Sequence, residues 1–373
     1  MSRVARLRQR VTESERLSRI LASVPKLMGA RGITSPPMKG GLAVGCVVRD
    51  AEEYVDAFIE HYISLGAEQI LFLDNGSLDG TVERIQRHPA FGSRVHLNFC
   101  RLRYGRWEVA LKQFLANVLG EAGGWVLVAD IDEHLSLPFA SQDAYGLRAV
   151  LGYLDECGYS VVVTQMIDVF PPVLLFTGSQ PLNVAEHRYF EWQSVNAHEY
   201  ASFVRMTRCA VIAPEEVGLA FLTDGVRHRL YGLQRPLWLT KHSLLRPSAG
   251  AWLRHAHLAQ AGQVADFSCP LIHYAFTGRL REKVEAVVRQ GRYGASANEE
   301  YRRYARRLGQ LESVRIASEG ATPLTSPAML VERGLVVASR RYRKEMQKSN
   351  AEAYADWVPR GGLRGEASCE SAG

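Results

Sequence analysis

From residue 42 onward, the chain alternates short apolar runs with segments whose apolar side chains recur every three or four residues. Leu42–Val48 is typical of a buried strand, and Ala51–Leu65 of a helix that places Val55, Phe58 and Ile59 on one face. The alternation continues through further predicted strands at Gln69–Leu73, Val95–Cys100 and Trp125–Ala129 and helices at Thr81–Arg87 and Arg106–Leu119. This spacing indicates βαβ units, so we expect an α/β fold on a mostly parallel sheet.

The pattern is less regular in the second half. A helix is predicted over 144–157 and a strand at Ser160–Gln165, whereas 171–220 lacks a clear period and is interpreted as an insertion over the site. Arg279–Leu308 and Pro327–Met346 are predicted as basic helices. The predicted units are a basic N-terminal helix with its linker, a central domain, a set of C-terminal basic helices and a disordered tail, at 1–40, 41–278, 279–346 and 347–373.

Polar residues follow several strands of the predicted sheet. They are Arg49 and Asp50, Asp74 and Asn75, and Asp130 and Asp132. Ligands of such sheets bind at the carboxyl ends of the strands, so we expect these residues to share one site. Side chains alternate along a strand, so Asp130 and Asp132 point the same way, and together they can hold a divalent cation that binds phosphate. The ordinary alternative is that they are turn residues.

The composition is that of an ordinary globular protein, with 373 residues, 47% hydrophobic and 23% charged. No apolar run is long enough for a transmembrane helix, and no secretory signal is expected. The six cysteines are scattered without a Cys-x-x-Cys pair, which argues against a zinc site and a disulfide framework. A reducing cytoplasm is the compartment that this pattern favours.

The net charge of +6 is concentrated at the N-terminus. Residues 1–40 contain nine basic and two acidic side chains, or +7, which leaves −1 for the remaining chain. Residues 1–30 have amphipathic helical spacing and could contact an anionic membrane surface, as a peripheral protein at the inner face. A helix packed on the domain, or a solvated arm, is the alternative. The nearly neutral body argues against a nucleic-acid partner.

Two segments resemble a known family. The segment from Val47 to Thr81, with His61-Tyr62 and the run Asp74-Asn75-Gly76-Ser77-Leu78-Asp79-Gly80, resembles the opening of a family 2-type glycosyltransferase of the GT-A fold. Asp-Ile-Asp-Glu, at the end of Trp125–Glu133, resembles its Asp-x-Asp-Glu element. The similarity is closest to a bacterial branch with a late His-Tyr pair, here His273-Tyr274. It covers about residues 42–310. One departure is Asp50-Ala51-Glu52, where many relatives have Asn-Glu.

The resemblance implies a metal-dependent glycosyltransferase that uses a nucleotide-sugar donor, expected to be UDP-linked. Asp130 and Asp132 would hold Mn²⁺ or Mg²⁺, and His273 would complete the shell, unless it is a buried histidine bonded to backbone. The acceptor would be a glycan or a lipid-linked hydroxyl, in the assembly of a surface polysaccharide or related glycan. Inversion is expected at the transferred sugar.

Donor binding and proton transfer require further side chains. The residues predicted to bind the donor are Arg49, Asp50, Asp74, Asn75, Asp130, Arg227, Arg229 and Lys241. An inverting transfer needs a general base, and the candidates are Asp168, Glu199, Asp224 and Glu133. A carboxylate in the position of Glu133 more often supports the metal ligands. His255 and His257 would face one way if extended, as a second metal site or as surface histidines.

Other functions remain open at this stage. The chain contains no G-x-G-x-x-G and no Walker A sequence, which weakens dinucleotide and P-loop assignments. A sugar-nucleotide pyrophosphorylase would share the architecture, but no Gly-rich loop with Arg and Lys follows the first strand. A non-catalytic protein with a degenerate GT-A fold is the remaining alternative, against which the intact Asp130 and Asp132 argue.

Overall fold

The alternating first half forms a parallel sheet. The computed structural model describes residues 41–178, 180–291, 295–309 and 311–357. The first strands are β1 (Leu42–Val48), β2 (Gln69–Asp74), β3 (Val95–Phe99) and β4 (Trp125–Val128). They lie in the order β3-β2-β1-β4, all in parallel. Val48 is opposite Asp74, and Gly45 is opposite Val128, so the carboxyl ends of these strands meet at one edge.

Helices cover both faces of this sheet. They are α1 (Val55–Leu65), α2 (Thr81–Arg87), α3 (Tyr104–Gly120) and α4 (Ala144–Glu156), with a short 3-10 turn at Glu52–Tyr54 before α1. The apolar face of α1 is buried as its period predicted. Gly66 ends α1 at φ +100°, and an added Cβ there would lie 2.5 Å from the Cα of Ala144. Only glycine allows both this conformation and this close approach.

Later strands extend the sheet. They are β5 (Glu133–Leu135), β6 (Val161–Asp168), β10 (Ala210–Ile212), β12 (Thr240–Leu245), β13 (Trp252–His255) and β14 (Leu258–His273). β12 is antiparallel to both β4 and β6, and β6 is parallel to β14. Ten strands then form one sheet, in which β14 also pairs with β5, β10 and β13. The predicted α/β fold with a mostly parallel sheet flanked by helices is confirmed.

Three small strand pairs lie beside the large sheet. They join β7 (Val173–Leu175) to β15 (Ser313–Arg315), β8 (Tyr189–Phe190) to β16 (Thr322–Pro323), and β9 (Val195–Glu199) to β11 (Ala220–Asp224). Helices α5 (Tyr200–Thr207) and α6 (Gly225–Tyr231) follow β9 and β11, and 3-10 turns lie at Glu215–Val217 and Pro247–Ala249. The segment predicted as an insertion, 171–220, therefore contains short strands and one helix.

The C-terminal helices are shorter than predicted. They are α7 (Leu280–Gln290), α8 (Ala295–Leu308), α9 (Ala328–Glu332) and α10 (Arg340–Trp357). Gly291, at φ +56°, ends α7, and Gly334, at φ +69°, follows α9, so the two predicted helices are each divided. A glycine in the left-handed region is a common helix end. Helix α10 continues to Trp357, inside the predicted tail, while 1–40 and 358–373 lie outside the described residues.

Apolar side chains fill the space on both faces of the sheet. One cluster includes Phe58, Phe72 and Trp125, all fully buried. The C-terminal helix α10 joins this cluster because Tyr342 stacks on Phe267, with ring centroids 3.9 Å apart. The Tyr342 hydroxyl donates a hydrogen bond to the carbonyl of Pro138 (2.8 Å). The last described helix is therefore part of the same hydrophobic core.

Among the described residues, no helix combines the length and the apolar character required to cross a membrane.

Candidate functional site

A cavity of about 1200 Å³ lies at the edge of the sheet where the parallel strands end. Asp130 and Asp132 follow β4, His273 ends β14, and Arg49 and Asp50 follow β1. All five line this cavity. The expected convergence of strand ends therefore occurs, and it brings together residues that are distant in sequence.

Helix α1 and strand β14 hold the loop that contains the two aspartates. The Tyr62 hydroxyl donates to the carbonyl of Glu133 (2.8 Å) and accepts from the N–H of Leu135 (3.1 Å). The backbone N–H of Tyr274 donates to the carbonyl of Asp132 (2.8 Å). The two sequence pairs His61-Tyr62 and His273-Tyr274 thus contribute a tyrosine each to the position of this loop.

Asp130 is neutralised by two buried lysines. Its Oδ1 lies 2.9 Å from the Nζ of Lys112, and its Oδ2 lies 2.9 Å from the Nζ of Lys241. Lys241 also contacts the carboxylate of Glu133, whose other oxygen accepts the backbone N–H of Asp130 (3.0 Å). Burial acts to raise the pKa of Asp130, but the lysines outweigh it and hold this pKa well below its ordinary value. The network fixes Asp130 as a carboxylate.

Asp132 belongs to a second chain of charges. The Nζ of Lys283 lies 3.2 Å from its Oδ2, and the Nε2 of His273 lies 3.7 Å from its Oδ1. The Nδ1 of His273 is hydrogen-bonded to Asp168 (2.6 Å), which in turn accepts from the Nε of Arg227 (2.9 Å). Burial acts to raise the pKa of Asp132, yet Lys283 and His273 lower it far below its ordinary value.

His273 is held between two carboxylates. Burial and the charge of Arg227 act to lower its pKa, but Asp132 and Asp168 outweigh them and raise it above 6.5. The bond to Asp168 leaves Nε2 as the ring nitrogen that faces Asp132. A histidine oriented in this way by a carboxylate is the usual arrangement of metal-binding histidines.

A divalent ion in this cavity would have only a few protein ligands among the described residues. Asp132 and His273 face each other at 3.7 Å without a direct hydrogen bond, whereas both oxygens of Asp130 already contact lysines. Across the residues that the structure describes, no group of three or more His, Cys, Asp or Glu side chains is arranged to hold a metal. Mg²⁺ is often held by one or two carboxylates, with phosphate oxygens and water completing its shell.

Asp74 and Asn75, at the end of β2, make hydrogen bonds within the protein. Asp74 accepts hydrogen bonds from the N–H of Gly76 (2.9 Å) and from the backbone and hydroxyl of Ser77, so its carboxylate builds the turn after β2. The amide of Asn75 donates to the carbonyls of Cys100 and Leu102 and joins the ends of β2 and β3. Asn75 lines the cavity, and Asp74 does not.

Arg49 and Asp50 are closer to the open space of the cavity. Asp50 has φ +47°, and its Oδ1 accepts from the N–H of Leu78 (2.7 Å). The Nη1 of Arg49 donates to the carbonyl of Asn75 (3.2 Å). Both side chains are only half-buried, which leaves part of each surface for a ligand.

The other residues predicted to bind the donor bond to the protein. Arg227 bonds to Asp168, and Arg229 makes two bonds to Glu191 (2.7 and 2.9 Å). Lys241 is 4% exposed and bonds to the carboxylates described above. None of these three cations lines the cavity. Their charges serve the scaffold, because each has a carboxylate partner from a distant part of the chain.

The four predicted bases also lie outside the cavity lining. Asp168 and Glu133 are buried in the networks above. Asp224, at φ +79°, accepts from the amide of Asn196 (2.6 Å). Glu199 is at the surface near Arg205 (3.5 Å), and no described residue of 171–220 lines the cavity. In the structure, Asp168 is hydrogen-bonded to His273, and Glu133 is paired with Lys241.

The sequence did not single out several residues of the site. Lys112 lies in the predicted helix at Arg106–Leu119, on the same face as the buried Leu115 and Ala116, and a lysine on such a face was a usable signal. Lys283 and Arg279 line the cavity from the N-terminal end of α7. Their positions depend on where α7 packs, which no local pattern shows. His255 and His257, which the sequence offered as a second metal site or as surface histidines, also line the cavity, beside Trp238.

No protein-family model and no curated protein sequence matches this chain. Similar solved structures include the mannosyltransferase PcManGT from Pyrobaculum calidifontis in complex with GDP-Man and Mn²⁺, at 15% identity over 41% of this chain and 43% of that chain, TM-score 0.25. HddC from Yersinia pseudotuberculosis is 8% identical over 65% and 96% of the two chains, TM-score 0.33. The mannosyltransferase Ktr4p from S. cerevisiae is 12% identical over 43% and 49%, TM-score 0.22.

The matched part spans less than half of the length of either mannosyltransferase. Identities and TM-scores at this level assign no function to the chain. The geometry of the cavity is therefore the basis for the function that follows.

Proposed function

We propose that this protein is a glycosyltransferase that moves a sugar from a UDP-linked donor to a hydroxyl of a glycan or lipid-linked acceptor, with inversion, in the assembly of a surface polysaccharide or related glycan. The observation that supports it is the arrangement of Asp130, Asp132, His273 and Lys283 on the wall of one large cavity. A carboxylate pair, an imidazole and an ammonium group together suit a diphosphate with its cation.

The leaving diphosphate determines what the site must supply. Transfer of the sugar leaves negative charge on the diphosphate oxygens, and Asp132 and His273 would hold a Mn²⁺ or Mg²⁺ ion against them. When bound, such an ion acts as a Lewis acid that stabilises this charge. Lys283, with 33% of its side chain exposed, and Arg279, with 20%, place two more positive charges in the cavity wall.

The buried lysines have a different role in this proposal. Lys112 and Lys241 hold Asp130 from both sides, so this carboxylate has one orientation before the donor binds. Groups that are already oriented lose little conformational freedom during the reaction, and this is a main source of catalytic electrostatics. We assign Asp130 to the donor and Asp132 to the ion.

The general base comes from another carboxylate in this proposal, because the four bases predicted from the sequence do not line the cavity. Cavity-lining glutamates that could face an acceptor hydroxyl are Glu108, Glu282, Glu285 and Glu300. The cavity also has an aromatic wall, with Trp238 5.3 Å from the ring of His255. Such a wall suits the apolar face of a sugar acceptor.

Calorimetric titration with UDP and a panel of nucleotide sugars tests the proposal, in Mn²⁺, in Mg²⁺ and with chelator. We expect binding to require the ion, and we expect Asp132→Asn to weaken it by about tenfold or more, because a charged contact is lost. Asp56→Asn is the matched control, since Asp56, on α1, pairs with Arg84 of α2 and does not line the cavity. If the affinity for UDP is the same with and without the ion, and the same for wild type and Asp132→Asn, the metal–diphosphate site is disproved.

A further inference from the structure

Glu53 is a buried carboxylate in the cavity wall with one unused oxygen. It lies in the 3-10 turn between β1 and α1, is 7% exposed and lines the cavity. Its Oε1 accepts from the hydroxyl of Thr277 (3.0 Å). Its Oε2 is buried and has no hydrogen-bond partner within the described part of the chain. An unpaired buried carboxylate oxygen carries a desolvation cost, so a protein that keeps one needs a reason.

Several contacts fix the position of Glu53. Its backbone carbonyl accepts from the N–H of Leu182 (2.8 Å). The hydroxyl of the next residue, Tyr54, donates to the carbonyl of Tyr274 (3.1 Å) and lies 3.4 Å from the hydroxyl of Thr277. The carboxylate is thus held by the segment that directly follows His273. Movement of Glu53 towards a partner inside the protein would break these contacts.

The surroundings of Glu53 are those of the proposed diphosphate site. The positive charges of Lys283 and Arg279 attract the Glu53 carboxylate, and the negative charge of Asp132 repels it. Burial raises the pKa of the Glu53 carboxyl, and Thr277 and the two cations offset only part of this effect. A carboxylate cannot accept a hydrogen bond from a phosphate dianion. Next to a bound diphosphate, a group able to pair with Oε2 is a hydroxyl, which donates.

We propose that Glu53 binds a hydroxyl of the nucleotide-sugar donor next to its diphosphate, through the unpaired Oε2. This inference rests on the proposed function. The hydroxyl belongs either to the ribose or to the transferred sugar, since both flank the diphosphate. In either case Glu53 is a specificity residue. It strengthens the binding of ligands that carry a correctly placed hydroxyl, and its charge repels bare pyrophosphate.

Three probes separate these possibilities: pyrophosphate, UDP and UDP-glucose, each titrated calorimetrically in Mg²⁺. For Glu53→Ala, we expect unchanged or tighter binding of pyrophosphate and about tenfold weaker binding of UDP-glucose, the effect of one lost hydrogen bond to a charged group. Equal weakening of UDP assigns the contact to the ribose, and unchanged UDP assigns it to the transferred sugar. Glu53→Asp, which keeps the charge but withdraws the oxygen, should weaken the same probes.

Glu60→Gln, at an exposed position of α1, is the matched control and should change none of the affinities. Thermal unfolding of each variant checks that the protein is folded. Equal changes for all three probes, or no change for any, would overturn the role of Glu53 while the proposed function stands. Failure of the wild-type protein to bind any probe would overturn both.

Discussion

His242 makes the stability of this protein depend on pH. It lies in β12, is 1% exposed, and has both ring nitrogens engaged. Nδ1 accepts from the N–H of Ala259 (2.9 Å), and Nε2 bonds to the hydroxyl of Tyr200 (2.6 Å). A second proton would have to sit on Nδ1, against that N–H. Burial accordingly lowers the pKa of His242 from 6.5 to about 4.

The sign follows from the direction of this shift. The unfolded chain binds a proton near pH 6.5 and the folded protein only near pH 4, so acid favours unfolding. The contribution of His242 is complete above pH 6.5 and is lost as the pH falls towards 4. The whole shift corresponds to about 3 kcal/mol, and the part between pH 7 and pH 5 to about 2 kcal/mol.

Urea unfolding, followed by tryptophan fluorescence at pH 7 and pH 5, measures this effect. His242→Asn keeps an acceptor near Nδ1 but does not titrate. We expect the variant to be less stable at pH 7 and to lose about 2 kcal/mol less than wild type between the two pH values. The same comparison for a variant at His61 is an independent check of the reasoning, because burial also lowers the pKa of His61 to about 4. Equal losses for wild type and His242→Asn would refute the reasoning.

Three further predictions concern single side chains. Lys283→Met should weaken UDP binding about tenfold in calorimetry and leave thermal unfolding nearly unchanged, because this cation is partly exposed. Lys241→Met should lower the free energy of unfolding by about 3–5 kcal/mol in urea, since two carboxylates lose a buried partner; a loss under about 1 kcal/mol would contradict this. Gly66→Ala should lower the melting temperature more than Gly123→Ala, because both have positive φ but only the former meets another atom within 4 Å; equal shifts would count against the clash.

Most of the sheet edge could be predicted from the sequence, but the ion pairs of the site could not. Strand and helix periods are local, so β1 to β4 and their helices could be predicted, and with them the convergence of Asp50 and Asp130. The direction of a long charged side chain is not local. Arg227 bonds to Asp168, 59 residues away in sequence, and Arg229 bonds to Glu191, 38 residues away. These partners determine the direction of both side chains. Local periodicity has no access to such partners.

The same limit explains the helices near the C-terminus. The apolar spacing continues across Gly291 and Gly334, so periodicity alone predicts unbroken helices. The backbone breaks at both glycines because each adopts a positive φ. Since α7 begins shortly after His273, its direction decides whether Lys283 reaches Asp132, 151 residues earlier. The identity of this third charged group therefore required the three-dimensional structure.

Strand β14 also has a consequence for the order in which the protein folds during synthesis. It is 16 residues long and pairs with β5, β6, β10 and β13. It ends at His273, which is hydrogen-bonded to Asp168, 105 residues earlier in the chain. Contacts of such long sequence separation form late, because the loop between them must close first. During synthesis, the aspartates after β4 emerge long before the histidine and lysine that complete their surroundings. Until β14 has docked, Asp132 lacks both His273 and Lys283, so its surroundings are complete only after this late strand is in place.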